Sequence, residues 1–198
     1  MANKFYNIYI VGLGGQGVLT IGDLITEVAL KKGYAVNFYP TKGMSQRGGF
    51  VQGQIRIGDS EIGPNIPPKG ADLVIAMERS EALKAIRFMK PGGDFVLYDL
   101  MWAPTAVLLG KADYPSLDLV KEEIAATGAH TYILDSGLLP EFNGVKVREN
   151  LFVLGLAVAR TGLKDILNAD AVREVIRNTW PKGAEENLFA FNTGYNKA

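Results

Sequence analysis

Apolar residues along this 198-residue chain change their period several times, and each change marks an element. Phe5-Tyr6-Asn7-Ile8-Tyr9-Ile10-Val11 is a short β-branched and aromatic run ended by Gly12, the pattern of a buried strand. Past the glycines that follow, Val18, Ile21, Leu24, Ile25, Val28 and Ala29 recur at helical spacing. They predict a helix over 16–32 that stops at Gly33. Tyr34 to Tyr39 reads as a second strand, halted by Pro40. Strand, glycine turn, helix and strand make a βαβ unit, which predicts that the first two strands are parallel.

The period then drops to two. Between Phe50 and Ile57, Val51, Ile55 and Ile57 alternate with Gln52, Gln54 and Arg56, and Gly58-Asp59-Ser60 reads as a hairpin turn into Glu61-Ile62-Gly63. This predicts a half-exposed antiparallel insertion, followed by a stiff loop at Pro64, Pro67 and Pro68. Regular alternation then resumes, with strands expected at 72–77, 94–98 and 130–134 and helices at 78–89 and 117–127. A long apolar helix is expected at 146–160, with further helices at 170–178 and 185–191. The whole reads as one α/β domain over 1–198: Rossmann-like and doubly wound, mostly parallel, with a small antiparallel insertion and a helical C-terminal region.

Composition narrows the chemistry. Hydrophobic residues make up 47% and charged residues 21%, so the chain can bury a core. Lys and Arg total 21 against 21 Asp and Glu, a balance that argues against a nucleic-acid partner. No apolar run approaches the roughly 18 residues of a membrane span. Met1-Ala2-Asn3-Lys4 leads straight into the first strand without a leader pattern, so a cytoplasmic protein is expected. With no cysteine, the chain supplies no disulfide, thiolate metal site, cysteine nucleophile or cysteine-ligated cluster, and no metal site is assigned.

Two glycine motifs carry the candidate chemistry. Gly12-Leu13-Gly14-Gly15-Gln16-Gly17 follows a strand and opens a helix, where backbone N–H groups can approach an anion and the helix N-terminus favours negative charge. The same glycines equally suit close packing of helix on strand. A nicotinamide site would place an acidic residue about 20 residues on, after the second strand. No Asp or Glu occurs between Val28 and Gly58, so NAD is disfavoured, while NADP or flavin binding by a stand-alone oxidoreductase domain stays open. The second motif is Lys42-Gly43-Met44-Ser45-Gln46-Arg47-Gly48-Gly49, at the strand edge where open α/β sheets bind ligands. Arg47 can fork onto a carboxylate or phosphate and Lys42 supplies a point charge; a solvated surface loop is the plainer reading. Glu78, Asp99 and Asp135 also end strands, where caps and turns use the same residue types, and His130 lacks a partner at motif spacing. No catalytic residue is assigned.

Together the two motifs, with Val51 to Gly58, Ala71 to Ala76, Glu78 to Leu83 and Glu149-Asn150, resemble the gamma-type domain of the 2-oxoacid:ferredoxin oxidoreductases. Lys-Gly-Met-Ser-Gln-Arg-Gly-Gly is most similar to the small-subunit form of the indolepyruvate-using branch. The resemblance implies a subunit of an enzyme that converts an arylpyruvate and coenzyme A to aryl-acetyl-CoA and carbon dioxide, passing electrons to ferredoxin. It further implies that thiamine diphosphate, Mg2+ and [4Fe-4S] clusters reside in a large alpha subunit, and that this chain alone is inactive. Gly12, Gly14, Gly15, Gln16, Gly17, Lys42, Ser45, Gln46, Arg47, Gly48 and Gly49 are then the expected ligand and partner edge. A purely structural or regulatory subunit, docked through the second loop, is the remaining alternative.

Overall fold

The computed structural model describes residues 5–43 and 48–197. A six-stranded sheet in the order β2-β3-β1-β4-β5-β6 forms its centre. The strands are β1 (Tyr6–Leu13), β2 (Ala35–Lys42), β3 (Phe50–Gly58), β4 (Ala71–Ala76), β5 (Met89–Asp99) and β6 (His130–Asp135). β1, β4, β5 and β6 pair in parallel, and β3 runs against both of its neighbours, β1 and β2.

Alternation along the strands divides the core into two layers. Ile8 and Ile10 of β1 point to one side, with Leu73, Ile75, Val96 and Tyr98. That side is covered by α1 (Val18–Lys31), α5 (Glu149–Arg160), α6 (Ala169–Thr179) and α7 (Ala184–Asn196). Tyr9 and Val11 point the other way with Val74, Phe95 and Leu97, under α2 (Arg79–Ala85) and α4 (Leu117–Ala125). A sheet covered on both faces needs near-continuous apolar strands, which is why β1 and β4 lack a polar face. Smaller elements include a one-turn helix α3 (Thr105–Leu108), four short 3-10 turns and a ribbon of β7 (Glu141–Phe142) and β8 (Val145–Lys146).

The fold class agrees with the sequence reading, and several local expectations are corrected. β1 and β2 do point the same way, but they are not neighbours: β3 lies between them, with Leu13 opposite Phe50 and Lys42 opposite Val51. The alternating segment is therefore an interior strand. No strand forms at 61–63, because both hydrogen-bonding edges of β3 are already occupied. Pro40 does not end β2 but sits within it, opposite Gly53. β2 is an edge strand, so a missing N–H on its open side breaks no ladder bond. Pro91, Gly92 and Gly93 fall inside β5, where the register against β4 shifts between Ala71 and Leu73.

Candidate functional site

The parallel strands deliver their C-terminal ends to one edge of the sheet, and both glycine motifs meet there. Gly14 N–H donates to the Gly49 carbonyl at 2.8 Å, and Gly48 N–H donates to the Gly14 carbonyl at 3.4 Å. Gly43 N–H donates to Phe50 O at 2.7 Å and closes the base of the second loop. Two segments some 30 residues apart are thus one hydrogen-bonded rim. Ser45, Gln46 and Arg47 lie outside the described residues.

Each residue of the glycine turn has its own physical role. Gly12 is buried; a Cβ there would stand 2.8 Å from both Met77 Cβ and Gln16 Oε1, so it permits β1 and β4 to approach. Gly15 and Gly17 have φ of 105° and 72°, values that only glycine adopts cheaply. Gln16 is buried and works as a staple: its Oε1 accepts from Leu13 N–H at 2.7 Å and its Nε2 donates to Met77 O at 2.6 Å. Gln16 therefore holds the turn against the end of β4.

Beside this turn lies a cleft of about 530 Å3, lined by Gly14, Gly15, Gly17, Lys42, Arg148 and Asn150 among others. Two helices present their N-termini to it. α1 begins after Gly17 and α5 after Arg148, and neither has a side-chain cap. An uncapped N-terminus leaves first-turn N–H groups seeking an acceptor and carries partial positive charge. Lys42 and Arg148 add two formal charges, against one carboxylate in the wall, Glu149. Lys42 is close enough to be felt at Asp23: burial pushes that carboxyl up and Lys42 pulls it back down. Asn150 is 5% exposed and stands directly beneath Gly17; its Oδ1 accepts from Leu151 N–H at 3.0 Å. Backbone N–H donors, a lysine and an arginine around one cleft make a wall whose chemistry suits an anion, phosphate above all.

Of the expected residues, Gly14, Gly15, Gln16, Gly17 and Lys42 line this cleft. Gly48 instead faces a neighbouring depression beside Trp102, and Gly12 is interior. Arg148, Asn150 and Thr20 were not expected in the wall. The only signal for Arg148 was a cation just ahead of Glu149-Asn150 at the start of an apolar helix.

The strand-end carboxylates are structural. Glu78 is fully buried as the N-cap of α2 and accepts from Ser80 Oγ at 2.6 Å, Glu81 N–H at 2.9 Å, Trp102 N–H at 3.3 Å and the Tyr114 hydroxyl. Asp99 takes a two-point bond from Arg79, at 2.6 and 3.0 Å, and Asp135 accepts from Gly137 N–H at 2.8 Å. Burial and then the adjacent Glu78 carboxylate push the Tyr114 hydroxyl up to about 12. A phenol whose folded value is raised adds stability below the unfolded value near 10, lost as pH climbs from there through 12. Melting temperature should therefore drop steeply above pH 10, and less steeply in Tyr114→Phe. An identical alkaline profile in the two proteins would contradict the assignment.

The layered sheet, its ligand edge and the paired glycine motifs define a class, and a comparison of the sequence identifies it: the family model for pyruvate ferredoxin/flavodoxin oxidoreductase matches residues 7–197. The chain belongs to this family and has the form of its small subunits. Indolepyruvate oxidoreductase subunit IorB of Pyrococcus horikoshii is 36% identical over 197 residues, covering 98% of this chain and 96% of that protein. The subunit of the same name from Archaeoglobus fulgidus is 35% identical, covering 97% and 94%. Among solved structures, pyruvate oxidoreductase subunit PORC from Thermotoga maritima superposes with a TM-score of 0.72 at 17% identity, covering 98% of this chain and 96% of that one. A 2-oxoglutarate:ferredoxin oxidoreductase from Magnetococcus marinus, solved with 2-oxoglutarate, coenzyme A and succinyl-CoA bound, gives 0.71 at 20% identity. There the match covers 98% of this chain but 32% of the other. At such identities the structural likeness speaks to fold.

Proposed function

We propose that this chain is the small, cluster-free subunit of a thiamine-dependent indolepyruvate:ferredoxin oxidoreductase. The assembled enzyme would oxidatively decarboxylate an arylpyruvate with coenzyme A to aryl-acetyl-CoA and carbon dioxide, in the cytoplasm. The observation that carries the reading is the near full-length match, at 36% identity, to a protein named as an indolepyruvate oxidoreductase subunit. The phosphate-suited cleft at the glycine turn supports it, since coenzyme A carries a diphosphate. In the described residues no helix is long and apolar enough to cross a membrane.

Thiamine diphosphate with Mg2+ and the [4Fe-4S] clusters are assigned to the large alpha subunit, and ferredoxin meets the complex there. This chain's residues do not fit those groups. It has no cysteine, and its described residues contain no group of three His, Asp or Glu placed to hold a metal. Its own contribution is binding and orientation. N–H groups at the starts of α1 and α5 hold phosphate oxygens, Lys42 neutralises charge, and Arg148 forks onto a second oxygen. Holding one end of the cosubstrate this way fixes where its thiol arrives, which converts an encounter into an intramolecular approach.

Lys42→Ala in the assembled enzyme should raise the KM for coenzyme A about tenfold, the worth of one charge-assisted contact, and leave kcat nearly unchanged. Steady-state kinetics with coenzyme A and the 2-oxoacid varied separately would check this. An unchanged KM for both would remove Lys42 from the site.

A further inference from the structure

A second cleft, of about 540 Å3, shares Leu13 with the first and takes Gly48 of the glycine rim into its wall. Phe50, Trp102, Pro104 and Leu108 give it an apolar lining, and Glu81 reaches it from α2. One side is the segment that follows β5. Met101-Trp102-Ala103-Pro104-Thr105-Ala106-Val107-Leu108-Leu109 is as apolar as a core element, yet no residue of it is buried. Met101, Trp102, Leu108 and Leu109 are each more than half exposed, and α3 adds nothing to either core layer. Large apolar side chains left in water over one continuous stretch mark a surface that another protein covers.

Glu81 supplies an independent observation and the charge of what covers it. It is 5% exposed; its Oε1 accepts from Lys84 Nζ at 2.6 Å, while its Oε2 is buried without a hydrogen-bond partner among the described residues. A buried carboxylate oxygen without a donor is costly unless something outside the chain completes it. The neighbouring charges leave a negative excess. Asp99 is paired with Arg79 and Glu81 with Lys84, whereas buried Glu78 has hydroxyl and backbone N–H donors and no salt bridge among the described residues. An arginine complements this arrangement best: its planar fork matches a carboxylate, and its face stacks on an exposed indole such as Trp102.

We infer that this face docks the large subunit through an apolar segment of that subunit that carries an arginine. Apolar side chains cover Met101, Leu108 and Leu109, and the guanidinium stacks on Trp102 and donates to Glu81 Oε2. The inference rests on the reading that the large subunit holds the thiamine. A thiol positioned from the glycine-turn cleft must meet that thiamine at this edge of the sheet, so the large subunit has to face it. A second copy of this chain seated here would close the same edge.

Titration of this chain with the purified large subunit, followed by biolayer interferometry, tests the docking face. Leu108 is 75% exposed, so Leu108→Lys spares the fold while setting a cation where the arginine and its apolar neighbours arrive. Leu108→Lys and Glu81→Gln, each checked for an unaltered melt, should raise the dissociation constant at least tenfold. Leu30→Lys, an exposed position near the far end of α1, should bind as wild type does. Full affinity in both test variants would overturn the inference while leaving the assignment of the chain to this enzyme in place. Loss in Leu108→Lys with full affinity in Glu81→Gln would overturn the arginine contact, and equal loss in Leu30→Lys would overturn the choice of face. Absence of binding by the wild-type chain would overturn the inference and the assignment together.

Discussion

Gly194→Val should remove a large share of this chain's stability. α5 and α7 cross with backbone touching backbone: a Cβ on Gly194 would stand 1.9 Å from Phe152 O, and one on Gly155 would stand 2.1 Å from Phe191 O. Neither neighbour is a side chain that can rotate away, so the helices must part. Parting them opens the packing around Phe152, Phe191 and Ala190, all fully buried. Overpacking a core commonly costs about 1–3 kcal/mol, and a two-helix displacement belongs at or above the top of that range. Against a total of about 5–15 kcal/mol, a loss of about 3 kcal/mol is severe. For a chain of this length it lowers the melting temperature by about 10 °C. Gly63→Ala is the control, since a Cβ there meets nothing within 4 Å. Equal melting temperatures for Gly194→Val and wild type would show that the helix crossing is looser than described.

Gly17→Ala should damage the site more than the fold. With φ at 72°, an alanine in this left-handed position costs about 1–2 kcal/mol. Its Cβ would also stand 2.3 Å from Asn150 Nδ2 and 2.7 Å from Asn150 Cγ, so Asn150 must leave the floor of the cleft. The starts of α1 and α5 then lose their relative placement, and the KM for coenzyme A in the assembled enzyme should rise tenfold or more. The melting temperature should fall by only a few degrees, about 2–4 °C for each kcal/mol. A variant that melts lower yet keeps its KM would mean that the glycine serves packing alone.

Much of the architecture was legible because it rests on local pattern. The runs Tyr6–Leu13 and Ala71–Ala76 and the helical spacing from Val18 to Ala29 each carry their element without help from distant residues. Gly33, at φ of 85°, ended α1 where a left-handed stop was expected. What failed was non-local. Nothing in Phe50 to Ile57 reveals that the strand inserts between β1 and β2, because alternation tells a strand's faces and not its neighbours. That insertion also changes the weight of the missing acidic residue after β2. With β3 between them, β2 and β1 are two strand spacings, about 10 Å, apart across the sheet. One local signal went unused: Asn143-Gly144, both at positive φ, makes the turn of the β7–β8 ribbon and is the dipeptide such turns favour.

The site divides in the same way. Gly15, Gly17 and Lys42 were readable because their chemistry follows from spacing after a strand. Arg148 and Asn150 reach the cleft only through the packing of α5 across the sheet, some 130 residues from the turn they complete, and no motif spacing encodes that approach. Gln16 lies in the motif and lines the cleft, yet its amide is spent on Leu13 and Met77. Glu78 and Asp99 hold the β4 and β5 ends through Tyr114 and Arg79, so their strand-end positions serve the scaffold.

The central claim is that this chain completes a 2-oxoacid oxidoreductase by binding and positioning the cosubstrate, with the redox chemistry lodged in its partner. The most direct measurement is reconstitution with the large subunit, following indolepyruvate- and coenzyme A-dependent reduction of ferredoxin. Turnover is expected only when both subunits are present, with Lys42→Ala and Gly17→Ala restoring it at raised coenzyme A. Turnover by this chain alone, or by the large subunit equally well without it, would contradict the account.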